Sequence, residues 1–175
     1  MYRILHKILS TPKVVVPTAD FLLEDKELTV LGDELKRKVH AMFGRSLAIR
    51  EVDAGSSNAE EQELTALSNA YYDLERFGIH FVASPRHADM LMVTGPVSRN
   101  MAEGLKRTYE ATPDPKIVVA VGDDAIDGGI FKGSYAVLDG VKNVIPVDYE
   151  IPGDPPSPKQ IISALLVILG KANKK

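Results

Sequence analysis

The residues best placed for chemistry lie in four short segments rich in glycine, serine and acids: DAGSSNAEEQE (Asp53 to Glu63), TGPVSRNM (Thr94 to Met101), GDDAIDGG (Gly122 to Gly129) and YEIPGDPPSP (Tyr149 to Pro158). Glycine recurs in all four, as backbone that turns sharply or passes close to a bound group requires. The polar side chains they carry are oxygen donors, suited to hard cations, protons or water rather than to soft metals. Cysteine is absent from all 175 residues, which excludes disulfides, thiolate catalysis and sulfur-ligated metals for this chain. GDDAIDGG resembles a phosphate loop only superficially, because it lacks the Gly-Lys-Ser/Thr ending that contacts phosphate and magnesium. His6, His40 and His80 stand singly, without metal-ligand spacing.

For four such segments to act together, a scaffold must bring them to one place. The stretches LAIREV, IHFVAS, DMLMVTG, KIVVAVG and NVIPVD are short, rich in valine and isoleucine, and mostly closed by glycine, aspartate or proline, which predicts strands. Helical stretches lie between them. The clearest starts at Ser98 as N-cap, sets Met101, Leu105 and Tyr109 on one face, and pairs Glu103 with Arg107 on another. This alternation predicts an α/β fold, a doubly wound, flavodoxin-like parallel sheet, whose sites lie beyond the carboxyl ends of the strands. The four segments follow strands, so they are expected on one rim. Residues 1–45 read as an N-terminal arm with a helix, GDELKRKVHAMFG, ending at Gly44, and residues 46–175 as the α/β domain.

Composition narrows the classes. With 45% hydrophobic residues, the chain has material for one full core. A net charge of -3 and a pI near 5.8 argue against a phosphate-neutralising surface, so no nucleic-acid partner is expected. The N-terminal MYRILHKILSTPKVVVP is basic and apolar, but lysine, histidine and proline interrupt it before a signal core forms, which predicts a cytoplasmic protein. The longest apolar run, IISALLVILG, is far short of the roughly 20 residues that cross a bilayer. Met42, Met90, Met92 and Met101 read as packing residues.

The stretches SPRHADMLMVTGPVSRNMAEGLKRTYEATPDPKIVVAVGDDA and VIPVDYEIPGDPPSP resemble the small, cluster-binding subunit shared by energy-converting membrane-bound nickel-iron hydrogenases and respiratory complex I, and the likeness spans about residues 45 to 170. Hydrogenase members of that family carry Asp-Ala-Gly-Ser-Cys-Asn-Gly-Cys, Gly-Ala/Ser-Cys and Pro-Gly-Cys-Pro-Pro, whose four cysteines hold one cubane iron-sulfur cluster. Matched residue by residue, Ser57 and Glu60 stand at the first two cysteines, Asp124 at the third and Asp154 at the fourth. The step from Ser57 to Glu60 resembles the hydrogenase-like branch rather than the adjacent cysteine pair of complex I. Thiolates match iron in a sulfide-rich cluster, whereas hydroxyl and carboxylate oxygens are hard donors and poor substitutes. No iron-sulfur cluster, and no electron relay, is therefore expected.

If the family fold is kept, Glu60, Asp124 and Asp154 point into one pocket with Ser57, and Glu61, Glu63 and Asp123 lie nearby. Carboxylates so close need a counter-charge, shared protons or water. The candidates are a lysine or arginine of a partner or of this chain, a Mg²⁺ or Ca²⁺ ion on Glu60, Asp124 and Asp154, or a proton-holding pocket. The bland alternative is acids turned out into solvent. Arg86 and His87 match positions that in the family face the large catalytic subunit, making them candidate interface residues, unless Arg86 simply pairs with Asp89. The resemblance implies a non-redox small subunit, peripheral on the cytoplasmic face of the membrane, joining a hydrogenase-like large subunit to an ion-translocating membrane arm. Residues 1–20 would lie against that arm or the lipid interface, and no catalysis is expected from the chain alone. Two other classes are an electron-transfer oxidoreductase subunit with cysteines removed by engineering, for which one serine and three acids are an odd choice, and a carboxylate divalent-metal enzyme using Glu60, Asp124 and Asp154.

Overall fold

Successive strand residues point to opposite faces, so a strand apolar at every position has to be covered on both sides. Met90–Thr94 is apolar from Met90 to Val93 and buried throughout. Met90 and Met92 enter one core with Leu47, Ile49, Val119 and Val121, while Leu91 and Val93 enter a second with Val52, Val118 and Ala120. A computed structural model describes residues 18–172 and arranges them as three layers around this sheet. Residues 1–17, with His6 and most of the basic apolar segment expected against a membrane arm, fall outside the described residues.

In chain order the elements are α1 (Thr18–Phe43), β1 (Leu47–Asp53), α2 (Ala59–Ala66), β2 (Ile79–Phe81), β3 (Met90–Thr94), α3 (Ala102–Ala111), β4 (Ile117–Val121), α4 (Asp123–Asp127), β5 (Tyr149–Ile151) and α5 (Pro158–Ala172), with short 3-10 turns between. The five strands are all parallel in the order β2-β1-β3-β4-β5, which is the flavodoxin-like doubly wound order, with the switch point, where the winding across the sheet reverses, between β1 and β3.

Helix α1 ends where the sequence predicts. Gly44 has φ 65, and its amide donates to the His40 carbonyl at 2.9 Å, closing the last turn as glycine commonly does. Leu28, Leu35 and Val39 of α1 join the same core as the sheet, together with Ile161, Ile162, Leu165 and Leu169 of α5. Each such side chain contributes roughly 1.5–3 kcal/mol of burial. The apolar run IISALLVILG is thus a core helix, and no helix among the described residues is long and apolar enough to cross a membrane.

Three elements differ from expectation. Helix α1 begins at Thr18 rather than at Gly32. NVIPVD is not the fifth strand: Val141–Asn143 forms a 3-10 turn, Ile145 inserts into the second core, and Pro146 has no N–H to give a ladder. Asp148 docks this segment instead, its amide donating to the Val118 carbonyl and its carboxylate accepting from the Val118 amide, both at 2.9 Å. The strand is Tyr149–Ile151, so the last rim loop begins at Pro152. Helix α3 is regular from Ala102, and Ser98 caps the turn just before it: its Oγ accepts from the Met101 amide at 3.3 Å and its carbonyl from the Met101 and Ala102 amides. The Glu103–Arg107 pair forms at 2.9 Å, with Leu105 buried on the other face.

Candidate functional site

The carboxyl ends of β1, β3, β4 and β5 lie side by side, and the loops that leave them are stitched together by their own polar groups. Asp53 ends β1, and its Oδ1 accepts from the Gly55 and Ser56 amides at 2.7 and 2.9 Å, a local turn that short carboxylates favour. Asn58 then takes a left-handed conformation (φ 72) and α2 begins at Ala59. From α2, Glu61 accepts hydrogen bonds from the Ser56 and Thr94 hydroxyls, joining the first loop to the end of β3. Asp123 makes the equivalent tie across the sheet: its amide donates to the Gly153 carbonyl and its Oδ1 accepts from the Gly153 amide, both at 2.9 Å.

Beneath these ties lie two acids. Glu60 is 0% exposed and Asp124 4%, and neither Glu60 oxygen has a hydrogen-bond partner. Gly122, at φ +90, makes room for Glu60: a Cβ there would stand 2.7 Å from both Cγ and Oε1 of Glu60. Burial is the main cause that raises the Glu60 pKa above the ordinary carboxylate value; the nearness of its own backbone amide opposes it, and the charges of Asp124, Glu61 and Asp154 add to it. Asp124 is likewise raised by burial first and then by Asp154, with Asp123 and Asp127 adding, while the Ile130 amide opposes. Asp154 and Ser57 are exposed. The structure therefore brings Glu60 and Asp124 together in the interior, keeps Asp154 within electrostatic reach, and leaves Ser57 at the surface. Among the described residues no group of three or more histidine, aspartate or glutamate side chains is arranged to hold a metal ion.

Sequence reasoning placed Glu61 merely nearby and missed Ser56 and Thr94, the hydroxyls it joins. It also passed over Glu51, whose pKa burial raises, with Glu61 and Asp53 adding and Arg50 opposing. The available signal was a charged pair, Arg50 and Glu51, inside an otherwise apolar strand.

Arg86 and His87 form an exposed 3-10 turn just before β3, at the amino ends of the strands and so at the opposite end of the sheet from the rim. They border a cleft of about 670 Å³ with His80, Val82, Met42 and Phe43. Asp89 is not the partner of Arg86. It takes a two-pronged bond from Arg45 at 2.6 and 3.0 Å and also accepts from the Ala48 amide at 3.1 Å.

The residues at the four cluster positions do not fit an iron-sulfur cluster. The donor set is one hydroxyl and three carboxyls, two of them enclosed and two at the surface, and hard oxygens bind sulfide-bridged iron poorly.

Comparison with known proteins gives the family. A protein of Methanocaldococcus jannaschii of uncharacterised function is 49% identical over 128 residues, covering 73% of this chain and 86% of its own. A probable membrane-bound hydrogenase subunit of Pyrococcus furiosus is 44% identical over 132 residues, covering 75% and 79%. A chain of the membrane-bound sulfane sulfur reductase, an archaeal respiratory membrane complex, superposes with a TM-score of 0.62 at 36% identity over 73% of this chain and 72% of that one. The model of the NADH ubiquinone oxidoreductase 20 kDa subunit matches residues 58–168, so the parallel sheet and its four-loop rim are those of a small subunit, and the chain belongs to that family.

Proposed function

We propose that this chain is a small subunit that works without a cluster, in a hydrogenase-related or complex I-like membrane complex. In this role it joins a hydrogenase-like large subunit to an ion-translocating membrane arm, as a peripheral subunit on the cytoplasmic face. The observation that carries the proposal is the rim itself: oxygen-bearing residues stand at all four cluster positions, while the loops remain folded and cross-tied around them. Such a subunit serves by its surface, and the exposed Arg86 and His87 are the residues we assign to a partner contact. The kinship with subunits of a probable membrane-bound hydrogenase and of a respiratory membrane complex supports partners of that class.

The test is metal analysis of the native complex purified from membranes, with this subunit also assayed alone. Expected are a hydrogenase-like large subunit and membrane-arm subunits in the purified complex, and no iron or sulfide on the isolated subunit. Iron and sulfide bound to the isolated subunit would overturn the cluster-free assignment, and recovery of the chain free of any membrane subunit would overturn the assembly.

A further inference from the structure

Glu60 differs from every other acid of the rim. It is fully enclosed, both of its oxygens expose less than 1 Å², and neither makes a formed hydrogen bond. An ionised carboxylate in that setting loses its hydration and gains only the nearness of its own backbone amide in return, so the group neutralises instead.

What faces Glu60 leads the same way. Asp124 approaches from α4, Glu61 from its own helix and Asp154 from the last loop, and all are acids. Around Asp124 the further charges are Asp123 and Asp127; of the lysines that act on Asp127, Lys132 pairs with it at 2.8 Å on the exposed side and Lys142 acts from further off. A partner's cation would have to reach oxygens that have no open surface, and no metal-holding group of side chains surrounds them among the described residues.

We propose that Glu60 is a proton-binding site, held as the carboxylic acid at neutral pH in the place where relatives hold a cluster, with Asp124 as its charged neighbour. The proton comes from solvent, converting carboxylate to carboxylic acid. Asp124 is the first of the acids whose charge acts on Glu60, and interacting carboxyls ionise in sequence, so removing Asp124 alters the titration of Glu60. The inference stands on this chain's own residues and does not depend on the assembly proposed above.

Infrared spectroscopy of the full chain at neutral pH, in ordinary and heavy water, tests it. The expected result is a carboxylic-acid carbonyl band in the wild type, lost in Glu60→Gln and retained but shifted in Asp124→Asn, where Glu60 keeps its proton beside an amide. Glu51, the other rim carboxyl that burial raises, is unchanged in both variants and cancels from the difference spectra. No such band in the folded wild type, or a band unaltered in both variants, would overturn the proposal. Should Glu60→Gln fail to fold, Asp124→Asn decides: a shifted band supports the site, and an unshifted one overturns it.

Discussion

Replacing Gly122 with alanine probes the packing on which the site depends. Gly122 has φ +90 and ψ 156, a region populated almost only by glycine, and holding another residue there costs about 1–3 kcal/mol. The added Cβ would also stand 2.7 Å from Cγ and Oε1 of Glu60. A flexible side chain at the surface would swing aside, but Glu60 is enclosed, so the overlap adds an overpacking cost of about 1–3 kcal/mol. Together these give roughly 2–6 kcal/mol for Gly122→Ala. Glu60→Ala removes the overlap and leaves only the backbone strain, so Gly122→Ala should cost about 1–3 kcal/mol in that background, a coupling of about 1–3 kcal/mol between the two positions. Urea unfolding of the wild type, both single variants and the double variant, extrapolated linearly to water, measures every side of the cycle. Additive effects, within about 0.5 kcal/mol, would refute the claim that Glu60 fills the space against Gly122.

Other perturbations test other parts of the molecule. Cysteines placed together at Ser57, Glu60, Asp124 and Asp154 should let the chain take up iron and sulfide under anaerobic reconstitution, which the parent should not; a folded quadruple variant that stays iron-free would mean that the loops no longer form the family cradle. Asp89→Ala should cost about 1–3 kcal/mol in urea unfolding, because it strands the Ala48 amide as well as Arg45, whereas Arg45→Ala, which removes the exposed half of the pair, should cost no more than about 1 kcal/mol. Equal losses would undo that distinction. Stability should also depend on pH through Glu60 and Asp124. Because their folded pKa values are raised, the folded state binds protons more tightly than the unfolded chain, so their contribution is greatest at low pH and is lost as pH rises from the unfolded carboxyl range through the folded values. The difference in unfolding free energy between wild type and Glu60→Gln should therefore fall with rising pH, and a difference that rises would contradict the burial of Glu60.

Much of the architecture is legible in the sequence because strands covered on both faces announce themselves as unbroken apolar runs, as MLMVT and IVVAV do. NVIPVD misleads because it has the composition of a strand while its apolar residues serve another purpose: Ile145 is buried in the second core and Val144 and Val147 pack against it, and the strand that follows is the less apolar Tyr149–Ile151. At the rim, glycine and acid positions mark the loops, but which acids turn inward is decided by helix phase. Asn58 in a left-handed conformation sets the start of α2, and in the helix that follows Glu60 lies in the interior while Glu61 meets Thr94. Nothing in a run of adjacent glutamates distinguishes the two. Asp89 illustrates the same limit, since its partner Arg45 is 44 residues away and only the placement of β1 beside β3 brings them together.

The reciprocal exchange between Asp123 and Gly153, with the bonds from Ser56 and Thr94 to Glu61, has a consequence for the life of the protein in the cell. Where ligand binding supplies folding energy, removal of the ligand loosens the structure. Here each of these ties is made of the chain's own atoms, present as soon as it is synthesised. In a subunit that works without a cluster, as proposed above, iron starvation and oxidants would leave these ties in place, where they would dismantle thiolate-held loops.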